Sequence, residues 1–278
     1  MLSPLIFAAL LQVGPNPDPD SIANTIPRSP REEVEIQANR PDLRAVPASC
    51  PLANGASAIE VFELAVRQAG VTSGDEQIAA LQCAAMAQAE LRQWNEAAAS
   101  FLKARDLAQG KSDWQARIGT QRAHALVEAG RIIEARAVFR DAIDDAILAG
   151  DPVTAGQIAA DQAIVEVAAG DQSAAAATLA AARERSPGEY RIWLLSATLA
   201  RRNGQLDDAQ SFIEQAADLD AIDPEVGLEA GVIAALSGRL AAARASFESV
   251  AAQPHAGARA QTARQYLAQL DEMEASPQ

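Results

Sequence analysis

Two histidines, two cysteines and a few adjacent carboxylates are the side chains of this 278-residue sequence that could do chemistry. His124 and His255 lie far apart, with no carboxylate or cysteine at ligand spacing. Zinc needs three or four such ligands, so no metal site is expected. Asp144-Asp145 and Asp207-Asp208 are neighbours in sequence and therefore point to different sides of a helix, and both pairs are expected on solvated faces. No glycine-rich loop carries the lysine that cradles a phosphate, and Gly-x-Ser-x-Gly is absent. Aromatic residues make up 4% of the chain, too few to line a sugar-binding catalytic cleft. The expectation is a non-enzymatic protein without cofactor. Cys50 and Cys83 leave two readings open. In an oxidising compartment they pair and pin the chain around Cys50 onto the fold. Otherwise Cys83 is a small core residue and Cys50 a free thiol.

The net charge of −14 and pI near 4.6 narrow the partners. A chain this acidic repels phosphate backbones and anionic lipid surfaces, so neither nucleic acid nor a membrane surface is expected as partner.

The elements that would position any binding residue are announced by a repeat. A Gly or Arg is followed five residues later by Ala, four further by Phe, Leu or Ile, and three further by a small residue. The series runs Arg92-Ala97-Phe101-Ala104, Gly130-Ala135-Phe139-Ala142, Gly170-Ala175-Leu179-Ala182, Gly204-Ala209-Ile213-Ala216 and Gly238-Ala243-Phe247-Val250. The leading residues stand 38, 40, 34 and 34 apart, a period that means stacked helix pairs. The leading Gly or Arg falls where one helix stops and the next reverses, a left-handed position that glycine adopts at little cost. The Ala that follows faces a second small site in the preceding helix: Ala85, Ala123, Ala163, Ala197 or Gly231. Two small residues let the helices approach, and the larger residue fills the seam beside them. The first two intervals are longer by four and six residues, and the extra length is expected in second helices or the loops after them.

This pattern resembles the tetratricopeptide repeat family over roughly residues 78–255. The fold implied is all-α: a right-handed superhelical solenoid of antiparallel helix pairs that binds proteins or peptides. Five repeats would begin near 78, 116, 156, 190 and 224. Trp193 alone supplies the bulky residue favoured early in the first helix. Residues 56–77 read as a capping half-repeat, with Ser57 as helix cap, and residues 256–278 as a C-terminal capping helix and tail. Nine of fourteen prolines lie before residue 52, so residues 15–55 are expected to be a disordered linker. Leu5 to Leu11 is an apolar run too short to anchor stably in a bilayer. Within residues 1–14 it reads as the core of a secretory signal, or as an exposed start of the chain. Export would place the protein in a bacterial periplasm or outside the cell; otherwise it is cytoplasmic.

The resemblance further implies that first helices line a concave face. Positions 2, 5, 9, 12 and 13 of each repeat form one stripe. They bring out Arg117, His124, Ile164, Val167, Arg191, Leu194, Arg201, Arg202, Leu228 and Val232. These combine an apolar strip with a basic island, suited to a protein or peptide segment of mixed apolar and acidic character, with Arg forking onto carboxylates. The alternatives are that the apolar members pack on adjacent helices and that Arg201-Arg202 is solvated at a helix end. The lysine and asparagine of chaperone-tail clamps are missing, since Gln82, Met86, Thr120 and His124 hold those sites. The function expected is a scaffold or adaptor. The alternative is a self-associating structural or accessory subunit of a cell-envelope complex, joined through the Ala-rich outer faces of repeats three and five.

Overall fold

Residues 50–275 are described in a computed structural model. The expected signal segment and all but the last residues of the expected linker lie outside them. Every regular element among the described residues is helical. The chain divides between Ala169 and Gly170 into two compact units.

In the first unit a 3₁₀ turn, Pro51–Asn54, precedes α1 (Ala58–Val71), α2 (Asp75–Glu90), α3 (Trp94–Leu107), α4 (Ser112–Glu128), α5 (Ile132–Leu148) and α6 (Pro152–Ala168). Each of these helices packs antiparallel on the next. Close approach comes from small residues at the seams: Ala85, Ala97, Ala123 and Ala135 have no exposed surface, and Phe101 and Phe139 fill the gaps beside them. The second unit contains α7 (Gln172–Arg185), α8 (Tyr190–Arg202), α9 (Leu206–Leu219), α10 (Pro224–Leu236), α11 (Leu240–Ala251) and α12 (Ala258–Ala275), again packed in succession. Its seams are lined by Ala175, Ala197, Ala209 and Ala243, with Leu179, Ile213 and Phe247 buried alongside. Within each unit the architecture is an all-α, solenoid-type stack of antiparallel helix pairs.

Local signals set the helix boundaries. Pro152 and Pro224 open α6 and α10, where a missing N–H is no loss. Asp151, Asp171 and Asp223 accept hydrogen bonds from first-turn backbone N–H groups. Ser57 does not cap α1 through its side chain, contrary to expectation. The turn residues Gly130, Gly204 and Gly238 are left-handed, and so is Arg92, with φ 57°. Arg92 keeps the same reversal as the glycines: Gln93 N–H donates to the Gln88 carbonyl, as Arg131 N–H does to Leu126.

Two boundaries differ from the sequence reading. The linker was expected to run to residue 55, yet Cys50–Asn54 is packed in place. Cys50 is bonded to Cys83 of α2, with Cα atoms 5.7 Å apart. Both lie in a cluster with Val61, Ala65, Ala84 and Ala87, against which Leu52 and Phe62 pack. The short turn covers apolar surface that a missing first helix would otherwise cover.

The extra length of the first two intervals is also placed differently. In the first interval it lies wholly in a first helix: α4 has 17 residues, whereas α8 has 13. In the second it is shared, because α5 has 17 residues against 14 in α3, and α6 also has 17. Helix extension satisfies backbone hydrogen bonds that a longer loop would leave to solvent.

Candidate functional site

The middle of the expected inner stripe of the first unit is consumed by packing between successive first helices. The Gln82 Nε2 of α2 donates to Gln121 Oε1 of α4 at 2.8 Å. His124 Nε2 of α4 lies 2.9 Å from Asp161 Oδ2 of α6, and its ring meets Phe139 edge-on. Gln82, Met86, Thr120 and His124 are all buried. His124 was expected to face a partner; its Nε2–H instead donates to the buried Asp161 carboxylate and keeps it satisfied. Of the stripe residues singled out in this unit, Arg117, Ile164 and Val167 stay half-buried. The Arg117 guanidinium sits over the Trp114 ring, 5.1 Å from its centroid. Its Nε is buried without a hydrogen-bond partner.

The second unit repeats the theme with charge. Arg201 of α8 grips Glu229 of α10 through Nε at 2.5 Å and Nη2 at 3.2 Å. The Arg201 side chain is 8% exposed. Burial works against its charge, but Glu229 outweighs that and holds the guanidinium above its ordinary range. Arg201 therefore belongs to an internal ion pair, a correction to the basic island of the sequence reading. Leu194 is likewise buried, in a cluster with Ala197, Ile213, Val226 and Ile233.

Arg202 is in a different position. Burial first, and then the adjacent Arg201 charge, push its guanidinium down, with Glu229 offsetting part of the shift. Its Nε has no hydrogen-bond partner. Two guanidiniums share one carboxylate here, and the second lacks an anion of its own among the described residues. Leu228 and Val232 are half-buried and pack against the cluster that contains Phe247, Tyr266 and Leu270. Arg191 is half-buried at the start of α8.

Sequence reasoning missed the acceptors of these lateral pairs. Gln121, Asp161 and Glu229 all occupy position six of their repeats, one place beyond the expected stripe. Position six reaches back to the preceding first helix. The signal available was complementary polar types one repeat apart: Gln82 with Gln121, His124 with Asp161, Arg201 with Glu229.

Among the described residues, no group of three His, Cys, Asp or Glu side chains could hold a metal ion. Among the same residues, no helix is long and apolar enough to cross a membrane.

No family model matches the sequence, and no curated protein matches it. Solved structures do. BtubC from P. vanneervenii has a TM-score of 0.53 at 17% identity, covering 81% of this chain and 92% of its own. YrrB, a TPR protein with an unusual peptide-binding site, has a TM-score of 0.48 at 17% identity, over 74% and 97% of the two chains. MamA from Desulfovibrio magneticus RS-1 has a TM-score of 0.48 at 17% identity, over 64% and 95%. The left-handed reversals, the paired small residues and the antiparallel packing within each unit together give this chain the fold of the tetratricopeptide repeat proteins.

Proposed function

We propose that the protein is a non-enzymatic interaction scaffold or adaptor that holds an acidic and apolar segment of a partner protein on its first-helix faces. The observation that supports this most is Arg202. A half-buried guanidinium without an anion is costly, and a partner carboxylate would complete the charge balance beside Arg201 and Glu229. Arg191, Leu228 and Val232 are the other contributors to this site, all in the second unit; Arg117, Ile164 and Val167 form a separate candidate patch within the first. His124, Leu194 and Arg201 act from behind, as packing residues. Exported placement is part of the proposal, supported by the disulfide, because such bonds persist in oxidising compartments.

The test is capture of the tagged full-length protein from its native cells after mild cross-linking, with Arg117→Glu and Arg202→Glu in parallel. The reading expects a reproducible partner that is lost from the charge-reversed protein. A partner retained in full by both variants would remove the first-helix faces from the account. Recovery of the protein cross-linked only to itself would favour the self-associating subunit. That reading is supported by exposed small residues on the outer helices, Ala176 and Ala177 on α7 and Ala241 and Ala242 on α11.

A further inference from the structure

The two insertions in the first unit fall at the same place. The extra turn of α4 is at its start, the extra residues of α5 are at its end, and the extra turn of α6 is at its start. Side-chain contacts show that these helix ends share one edge. Lys111 at the start of α4 is paired with Asp75 at the start of α2. Arg105, near the end of α3, reaches Asp145, near the end of α5, at 2.6 Å. Insertions that gather on one face of a repeat array mark a face put to use.

What the insertions bring to this edge is apolar. Leu148 is 77% exposed, Val153 54% and Ile147 43%, and Leu107 at the end of α3 is 48% exposed. Trp114 is half-buried on the extra turn of α4. Scattered single apolar residues on a surface mean little, but here they lie on successive helix ends of one edge. Around them Asp106, Asp113, Asp144 and Asp151 are exposed. The Asp151 carboxylate is held below its ordinary range by hydrogen bonds from Thr154, so it stays charged. Of the nearby cations, Arg105 is held by Asp145 and Lys111 by Asp75 and the Trp114 face; Arg117 lies over the same Trp114 ring, and Lys103 stands one turn further in.

We propose that this edge, where α3 and α5 end and α4 and α6 begin, docks a cationic amphipathic helix of a partner protein. A helix offers an apolar stripe for Leu107, Ile147, Leu148 and Val153, and flanking Lys or Arg for the carboxylate rim. A second copy of this chain fits poorly, since a net charge of −14 sets acidic edges against each other. The edge adjoins the first-helix face at Trp114, whose ring Arg117 covers, but its docking does not depend on the Arg202 site in the second unit.

The probe is a fluorescein-labelled Leu/Lys peptide of about 18 residues, patterned as an amphipathic helix and followed by anisotropy with the full chain. Binding should weaken at least about tenfold in Leu107→Gln plus Leu148→Gln, and should fall with added salt. Arg202→Glu should bind as wild type, which separates this surface from the first-helix site. A peptide with Glu in place of Lys should not bind. Both substitutions are at exposed positions, and circular dichroism checks that the helices persist. Equal binding by the double variant, or equal binding of the Glu peptide, overturns the proposal. So does a concentration-dependent dimer of the wild type that the double variant abolishes, because the occupant would then be a second copy.

Discussion

His124 and Asp161, 37 residues apart in sequence, meet at 2.9 Å between α4 and α6, with side chains 10% and 5% exposed. Replacing His124 by Ala would leave the buried Asp161 side chain without its hydrogen-bond partner, a change that costs about 1–3 kcal/mol. Replacing both residues should cost less than the sum of the single changes. Chemical denaturation of the three variants measures this coupling. Additive losses would mean that the pair contributes nothing as a pair.

Gly231 and Phe247 make the opposite kind of contact, one that depends on an absent atom. A Cβ on Gly231 would overlap the Phe247 ring. Gly231→Ala should therefore destabilise by about 1–3 kcal/mol, although Ala is the better helix former. Ala209→Leu, at a position with no exposed surface, should cost a similar amount. Melting temperatures at or above wild type would contradict the seam packing.

Arg92 holds a left-handed conformation that its glycine counterparts adopt freely. Arg92→Gly should stabilise by about 0.5–1 kcal/mol, after the larger entropy of the unfolded glycine chain is subtracted. A thermal melt that moves down instead would show that the Arg92 side chain contributes more than its backbone costs.

The Cys50–Cys83 bond closes a separation of 33 residues and fixes the apolar cluster at the start of the first unit. Reduction should cost about 3–4 kcal/mol, read as a lowered unfolding midpoint in dithiothreitol. Cys50→Ser should already show the lowered midpoint and be indifferent to the reductant. A wild-type midpoint that does not move would mean the bond constrains little in solution.

Much of the fold was legible because it rests on single-residue requirements at fixed spacing. The reversals need a left-handed residue and the seams need small ones, and both leave marks in the sequence. The lateral pairs were less legible. Whether Arg201 faces a partner or Glu229 depends on how closely α8 approaches α10, and one helical stripe cannot show that. The same blindness put His124 on an open face, when Asp161 stands opposite it. The insertions were seen as length, but their extension of α4, α5 and α6 at one edge depends on which backbone groups find helical partners. Arg117 and Arg202 keep the role expected of them only as candidates, because packing leaves them without an anion among the described residues.

The account stands most directly on Arg202. The decisive measurement is a binding titration of the captured partner segment against wild type, Arg202→Lys and Arg202→Glu at low and moderate salt. The account predicts at least about tenfold weaker binding for Arg202→Glu, a smaller loss for Arg202→Lys, and a salt dependence that shrinks in the Glu variant. Equal affinity across the three proteins would contradict it.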